Sequence, residues 1–183
     1  MTTAPNAAHK TAAESAARAS LRAAGVLALA LAAPALALPG AAAAQSMEVR
    51  KGAERQGMIG SSEVFTGTVY VEMMFGAEDP MRSSAGRVVF TPGARSAWHT
   101  HPQGQMLIVT DGTGWVQERG QPKQVMTAGD VVWCPPGVEH WHGATDKSSV
   151  THCAIQQQDE NGQNVAWGAH VTDAEYHEGH AHD

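Results

Sequence analysis

Hydrophobic and polar residues alternate in short runs along most of the chain after residue 64. Alternation over about four to eight residues is typical of half-buried β-strands, and the Gly, Pro and Asp residues between the runs are typical of turns. The pattern predicts strands over residues 65–75, 86–90, 96–101, 105–110, 114–118, 130–134, 139–144 and 150–156. About eight strands at this spacing favour an all-β sandwich or barrel over a parallel sheet.

The first 44 residues follow a different pattern. Lys10, Arg18 and Arg22 precede an apolar stretch that ends in small residues at Ala42 and Ala44. This order of charged start, apolar middle and small-residue end predicts a secretory signal peptide that is cleaved after Ala44. We therefore expect a secreted or periplasmic protein.

Two other interpretations of this leader stay open. A retained membrane anchor would need about 20 consecutive apolar residues, and Pro34 and Pro39 interrupt the apolar run. Translation could instead begin at Met47, where the domain-like sequence starts.

The length of 183 residues suits one domain with a hydrophobic core. We expect four segments, which are a signal peptide over 1–44, an N-terminal arm over 45–64, a β-barrel over 65–171 and a short C-terminal helix and His-rich tail over 172–183. The helix is predicted to start at Thr172 or Asp173. The tail histidines His177, His180 and His182 could gather a metal ion, but a disordered terminus is the other interpretation.

The net charge argues against several classes of partner. The chain has 12 Lys and Arg residues and 18 Asp and Glu residues, which gives a net charge of −6. Removal of the leader takes away three basic residues and one acidic residue, so the mature chain carries −8. An acidic protein is poorly suited to nucleic acid or to anionic membranes, and a small-molecule partner is expected instead.

The two cysteines, Cys134 and Cys153, allow two interpretations. In an oxidising compartment they could form a disulfide. Alternatively, they are two small buried apolar residues, which is a common role for cysteine.

Three histidines and one glutamine form a candidate metal site. Residues two apart in a strand lie on the same face, so His99 and His101 point the same way. Gln105 follows on the next predicted strand, and His140 comes from the later segment "PPGVEHWHG". Three neutral imidazoles and one amide oxygen would hold one divalent metal ion and leave positions open for water or substrate.

The spacing of these residues strongly resembles the two cupin motifs. The first motif is matched by Gly93, His99, His101, Gln105 and Gly112, and the second by Gly129, Pro135, Gly137 and His140. The sequence departs from the usual motifs at Gln105, where Glu is common, and at Ala144, where Asn is common. The resemblance implies a single-domain cupin fold, a double-stranded β-helix or jelly-roll barrel, with the metal inside.

Longer stretches resemble a narrower family, the bacterial manganese-dependent cupin-type hydroxynitrile lyases. They include "PGARSAWHTHPQGQ", "HWHGA", "THCAIQ" and "HVTDAEY", and the likeness covers most of residues 65–176. The resemblance implies that the metal ligands are His99, His101, Gln105 and His140. It implies that His152 is the catalytic acid/base and that the substrate pocket is lined by Ser96, His142 and Gln156. Ser96 stands where the family more often has Thr.

The ligands alone do not select the metal. Manganese follows from the resemblance, whereas Fe, Ni, Co, Cu and Zn are compatible with imidazole and amide ligands. Because Gln105 is neutral, the site keeps a charge near +2, which strengthens the metal as a Lewis acid and disfavours its oxidation. This charge favours acid–base chemistry, in which the metal stabilises the cyanohydrin oxygen and His152 carries the proton exchanged between cyanide and HCN.

Other functions stay open at this point. The same open coordination positions would serve an O2-dependent dioxygenase of the cupin type, and a non-enzymatic protein could bind metal or a small ligand without turnover. His142 could orient a metal ligand rather than touch substrate, and Gln156 could have a structural role.

The tryptophans and the strand edges bear on assembly. Cupins often pair through sheet edges, which predicts a homo-oligomer, either a dimer or a tetramer. Alternation places Trp98 and Trp141 on the face opposite the neighbouring histidines. This placement makes both residues candidates for a subunit interface.

Overall fold

The computed structural model describes residues 46–78 and 80–179. The predicted signal peptide with its cleavage position, and the tail residues His180 and His182, lie outside the described residues. Within the two described ranges, no helix is both long and apolar enough to cross a membrane.

The described residues form twelve antiparallel strands and confirm the predicted all-β cupin fold. The strands are β1 Gly57–Ile59, β2 Phe65–Thr66, β3 Val69–Phe75, β4 Ser83–Phe90, β5 Arg95–Ser96, β6 His99–Thr100, β7 Gln105–Glu118, β8 Gln124–Thr127, β9 Val131–Cys134, β10 His140–Ala144, β11 Val150–Gln157 and β12 Ala166–Trp167. A single 3-10 turn, Gly52–Glu54, precedes them, and one short helix, α1 Asp173–His177, follows. The predicted N-terminal arm therefore contributes strand β1, which pairs with β3.

Strand β7 joins the two halves of the curled sheet. The main strand order is β1-β3-β4-β11-β7-β10-β5-β2, with β6 and β12 attached to β10. The first part of β7 pairs with β9 and β11, and its last part pairs with β8 and β10. This sharing brings β6, β7 and β10 together around the interior of the barrel.

The predicted break between strands 105–110 and 114–118 is wrong, because both belong to β7. Gly112 lies within β7 at a φ of 76°, and a Cβ there would be 2.1 Å from the main-chain oxygen of Ser149. The pairing register with β11 shifts near this position, between Thr151 and His152. Turn-type residues therefore mark a bulge in a continuous strand.

The interior of the barrel is filled by side chains that alternate inward along the strands. These buried residues include Val69, Val88, Phe90, Leu107, Val109, Val116, Met126 and Val150. A second cluster lies on the other face of the β7–β10 pair and consists of Trp98, Trp115, Trp141, Val171 and Tyr176.

The predicted role of Trp98 and Trp141 in a subunit interface is wrong, because both residues are buried in the second cluster. Alternation placed both residues correctly on the face away from the histidines. Their exposed fractions are only 2% and 0%, because Val171 and Tyr176 cover them. These residues belong to a C-terminal strap, defined here as residues 164–177, and the strap occupies the surface that was predicted for a partner.

Polar contacts hold the strap in place. Helix α1 begins where the sequence predicts, with Thr172 and Glu175 forming a reciprocal capping box. The buried Tyr176 hydroxyl donates to the Ala144 carbonyl at 2.9 Å. The buried guanidinium of Arg95 donates twice to one strap carbonyl, at 3.0 and 3.1 Å. Each such hydrogen bond contributes about 1 kcal/mol net, so the strap is a fixed part of the barrel.

The cysteines are not paired in a disulfide. Cys134 is buried opposite Gln105 in the β7–β9 register, and burial raises the pKa of its thiol to about 12. Cys153 lies on the outer face, where its sulfur is 3.8 Å from the Met74 sulfur. The interpretation as two small apolar residues is confirmed for Cys134, and Cys153 is half-buried.

Candidate metal centre

Four side chains that the sequence singles out meet inside the barrel. His99 and His140 are direct register partners across β6 and β10, and His101 follows β6. Their ring centroids are 4.3 to 5.6 Å apart, and the His140 Nε2 is 3.2 Å from the Oε1 of Gln105. Imidazole nitrogens bind a metal at about 2 Å, so rings at this spacing can share one ion.

Each of the three rings is oriented by a hydrogen bond of the same kind. The Nδ1 atom of each ring lies against a main-chain carbonyl oxygen, which is that of Ala97 for His99 (2.9 Å), Asn164 for His101 (2.5 Å) and Val138 for His140 (2.9 Å). A carbonyl oxygen can only accept, so each Nδ1 carries the hydrogen. In the neutral ring the lone pair then lies on Nε2, which is the arrangement that orients histidine for a metal.

Burial keeps these rings neutral. Removal from water lowers the pKa of His99 to about 3 and that of His101 to about 4, and it also lowers the pKa of His140. Neighbouring imidazoles add to the effect, since a positive charge on one disfavours a charge on the next. Metal binding requires unprotonated imidazole, so the three rings are in their binding form at neutral pH.

The donor set fits a divalent cation. Within the described part of the chain, the buried Nε2 of His101 has no hydrogen-bond partner. An orphaned buried nitrogen is costly unless something occupies the space before it. Nitrogen atoms of His99, His140 and His142 lie within 4.8 Å of one another. This close group includes His142, which was predicted to contact substrate, and does not include the predicted ligand His101.

His142 and His152 form a buried pair beside this centre. The His142 Nδ1 is 3.1 Å from the His152 Nε2, so one ring donates a hydrogen to the other. The Phe90 ring lies against both imidazoles, with centroids at 5.6 and 5.5 Å. Burial lowers the pKa of His152 to about 4 and that of His142 well below its ordinary value. Both rings are therefore neutral, and the pair can pass a proton along its shared hydrogen bond.

A cavity of about 220 Å³ opens beside the proposed ligands. Its polar lining comes from His99, His101, Gln105, His142 and Gln156, and its apolar lining includes Phe65, Val71, Val88, Val165 and Trp167. The Trp167 ring packs against His99 with centroids 4.8 Å apart, and against Phe65 at 5.9 Å. A small organic molecule bound here would lie between an apolar wall and the imidazoles.

The predicted catalytic and substrate-binding residues differ in whether they reach the cavity. His142 and Gln156 line the cavity, whereas His152 is fully buried behind His142. Ser96 is also buried, and its hydroxyl accepts from the His142 main-chain N–H at 3.2 Å and lies 3.5 Å from the His99 Nδ1. Ser96 therefore supports two histidines of the site rather than forming the cavity surface.

Two contributions to the site were missed by sequence reasoning. The strap supplies the Trp167 wall and the Asn164 carbonyl that orients His101. Little alternation marks this stretch, and the sequence signal was Trp167 itself, a large aromatic among small residues.

Comparison with known proteins gives concordant results. The cupin domain family matches residues 86–154. An (R)-mandelonitrile lyase from Granulicella tundricola is 46% identical over 130 residues, which covers 71% of this chain and 98% of that protein. A cupin-like protein from Thermotoga maritima has a crystal structure that is 45% identical, with a TM-score of 0.63 over 68% of this chain and 92% of that one. A protein described as a predicted oxalate decarboxylase, from the same organism, is 20% identical with a TM-score of 0.54 over 59% of this chain and 96% of that one, a likeness that shows the fold alone.

Proposed function

The chain belongs to the cupin family, and we propose that it is a metal-dependent hydroxynitrile lyase, which cleaves cyanohydrins to an aldehyde and HCN or forms them in reverse. The relative named as a mandelonitrile lyase supports an enzyme of the lyase class. One observation supports the proposal: three buried histidines, each with its Nδ1 against a main-chain carbonyl, lie with the Gln105 amide beside a small cavity and a buried histidine pair.

The proposed ligands of a single divalent cation, with manganese as the proposed metal, are His99, His101, Gln105 and His140. All four are neutral, so the bound ion keeps its charge of +2. When bound, the cation supplies Lewis-acid stabilisation of the negative charge that develops on the cyanohydrin oxygen.

The histidine pair handles the proton in this proposal. The resemblance assigned the acid/base role to His152, but this ring is fully buried behind His142 and does not line the cavity. In this proposal His142, which faces the cavity, takes the hydroxyl proton of the cyanohydrin as the carbon–carbon bond breaks. The His142 Nδ1 is engaged by the His152 Nε2, so its Nε2 is the nitrogen left for substrate. When the Nδ1 donates its hydrogen to His152, the His142 Nε2 carries the lone pair that accepts the proton. Because burial disfavours an imidazolium here, the proton passes on to the departing cyanide, which leaves as HCN.

The cavity walls position the organic part of the substrate. Phe65, Val88 and Trp167 offer an apolar surface to the aldehyde substituent. Gln156 adds a polar side chain to the cavity lining, with its amide bonded to Ser84 and Gln105. A substrate with an aromatic or branched apolar substituent is therefore expected.

The decisive experiment is an assay of benzaldehyde and cyanide release from mandelonitrile, combined with metal analysis of the purified protein. The variants His142→Ala and His152→Ala should lose turnover and keep their metal content, and His177→Ala on the exposed helix serves as a control. Tight metal binding without cyanide release by the wild type would contradict the proposal. So would consumption of O2 with phenolic or diketone substrates, which would identify a dioxygenase.

Location and assembly also stay proposals. We propose a secreted or periplasmic enzyme that acts on small molecules rather than on nucleic acid or membranes. We also propose that a second copy of this chain binds the outer face of strands β3, β4, β11, β7 and β9. Register places four apolar residues together on that face, which are Met106, Ile108, Val131 and Trp133. Solvated sheet faces are usually polar, so this apolar group supports a surface that a partner covers.

Charge on the same face supports a second copy as the partner. Glu72 and Arg87 are register partners 3.8 Å apart, and Arg87 lies beside Cys153 in the next strand. In a two-fold contact the same patch meets itself. Because this face carries both a carboxylate and a guanidinium, it can meet a copy of itself without bringing only like charges together.

A further inference from the structure

A row of polar side chains crosses three strands beside the candidate metal centre. Ser84 on β4 is the register partner of Gln156 on β11, and Gln156 is the register partner of Gln105 on β7. All three side chains point into the barrel, and Ser84 is buried. Neither the cupin motifs nor the cavity lining includes Ser84.

The Ser84 hydroxyl uses its full hydrogen-bonding capacity. It accepts from the Gln156 Nε2 at 3.1 Å and from the Asn164 Nδ2 at 3.2 Å. It donates to the main-chain oxygen of Gln156 at 3.5 Å. A hydroxyl offers one hydrogen and two lone pairs, so these three contacts leave nothing spare.

This saturation fixes the direction of the neighbouring amides. Because Gln156 turns its NH2 group toward Ser84, its Oε1 faces β7 and accepts from the Gln105 Nε2 at 3.4 Å. Gln105 then has its NH2 group directed away from the histidines, and its Oε1 lies 3.2 Å from the His140 Nε2. An amide in the opposite orientation would present N–H groups, which cannot bind a cation.

A second connection runs from the same hydroxyl to His101. Asn164, whose side chain is held by Ser84, is the residue whose main-chain oxygen accepts from the His101 Nδ1. Ser84 is therefore linked to two of the four proposed ligands, one through an amide chain and one through the strap.

We propose that Ser84 is a positioning residue that holds the Gln105 carboxamide with its oxygen toward the metal centre. The inference rests on the proposed metal site. Loss of the hydroxyl leaves the partly buried NH2 groups of Gln156 and Asn164 without this acceptor and allows the amides of Gln156 and Gln105 to flip. Residues that orient metal ligands in this way typically change metal affinity about tenfold to hundredfold when they are replaced.

The test measures Mn²⁺ binding to metal-free protein by equilibrium dialysis with elemental analysis. Ser84→Ala should raise the dissociation constant by about tenfold to hundredfold. Ser84→Thr keeps the hydroxyl and should restore binding to near the wild-type value. Ser83→Ala changes the adjacent residue of β4, which points to the other face, and should bind like the wild type. The visible spectrum of cobalt-loaded protein should change in Ser84→Ala alone, because an oxygen ligand is lost.

The outcomes separate the two proposals. If the wild type binds no Mn²⁺, the metal centre and the lyase proposal fail together with this inference. If the wild type binds and Ser84→Ala matches Ser83→Ala in affinity and cobalt spectrum, the role of Ser84 is refuted and the metal centre stands. Should Ser84→Ala fail to fold by circular dichroism, Gln156→Leu breaks the amide chain between Ser84 and Gln105 and keeps the Asn164 carbonyl for His101. A weaker Mn²⁺ affinity supports the inference in that variant, and an unchanged affinity overturns it.

Discussion

The neutral, buried His152 should make the protein sensitive to acid. Burial lowers the pKa of this imidazole from 6.5 to about 4 in the folded protein. Below pH 6.5 the unfolded chain therefore takes up a proton that the folded chain does not. The free energy of unfolding falls from pH 6.5 down to about pH 4 and loses nothing more from this group below that value.

The size of the effect follows from the two pKa values. At pH 5 the difference in proton binding at one such site costs the folded state about 2 kcal/mol, and at pH 7 it costs almost nothing. For a domain of this size, where urea lowers stability by roughly 1 to 3 kcal/mol per molar, the midpoint of unfolding shifts by about 1 M.

The assay is urea unfolding at pH 7 and at pH 5, with a chelator present so that release of metal does not contribute. The variant His152→Gln has no titrating ring but can still form a hydrogen bond to His142. It should lose about 2 kcal/mol less than the wild type between the two pH values. Val150→Ala, buried in the same strand, lowers stability equally at both pH values and controls for lost packing. Equal pH dependence in wild type and His152→Gln would refute the assignment of a buried neutral ring.

Three further predictions concern the strap, the bulge and the outer face. Tyr176→Phe removes a buried hydroxyl that donates to a strand carbonyl and should lower the free energy of unfolding by about 1 kcal/mol in urea titration; no change would show that the strap contact contributes nothing. Gly112→Ala places a Cβ 2.1 Å from the Ser149 main-chain oxygen and should cost roughly 3 kcal/mol or more. Gly129→Ala, where a Cβ meets nothing within 4 Å, should cost only about 1 kcal/mol of backbone strain. Equal thermal stabilities of the two variants would argue against the close approach of Gly112 to Ser149 beside the bulge. Trp133→Glu should dissociate the proposed dimer in analytical ultracentrifugation. Val125→Glu should not, because Val125 is similarly exposed (63%, against 56% for Trp133) but lies outside the face. A monomeric wild type would contradict the interface.

The positions of the four proposed ligands could be predicted from sequence because they depend on local rules. Alternation places His99 and His101 on one side, and a strand pairing then aligns His99 with His140. The same rule placed Trp98 and Trp141 on the other side correctly. It could not show that the chain itself returns to cover them, since burial of a face depends on contacts distant in sequence.

The remaining parts of the site depend on those distant contacts. Asn164 and Trp167 lie in a segment with little alternation, and their placement follows from the anchoring of the strap by Arg95 and Tyr176. Ser84 precedes the strand predicted over 86–90, and only the observed extension of β4 aligns it with Gln156. Gly112 carries the sequence signature of a turn, but it pairs with Val150 within the strand, and the bulge lies two residues earlier, where Thr110 has no partner in the register.

The long strand β7 has a consequence for how ligands reach the interior. Its first part pairs with β9 and β11 and its last part pairs with β8 and β10, so each of these four pairings lies within one half of the sheet. A change in the bend of β7 near Gly112 would therefore alter the angle between the halves without breaking any of the four ladders. The partly exposed Trp167 ring lines the cavity from the strap, and its rotation would change access in a second way.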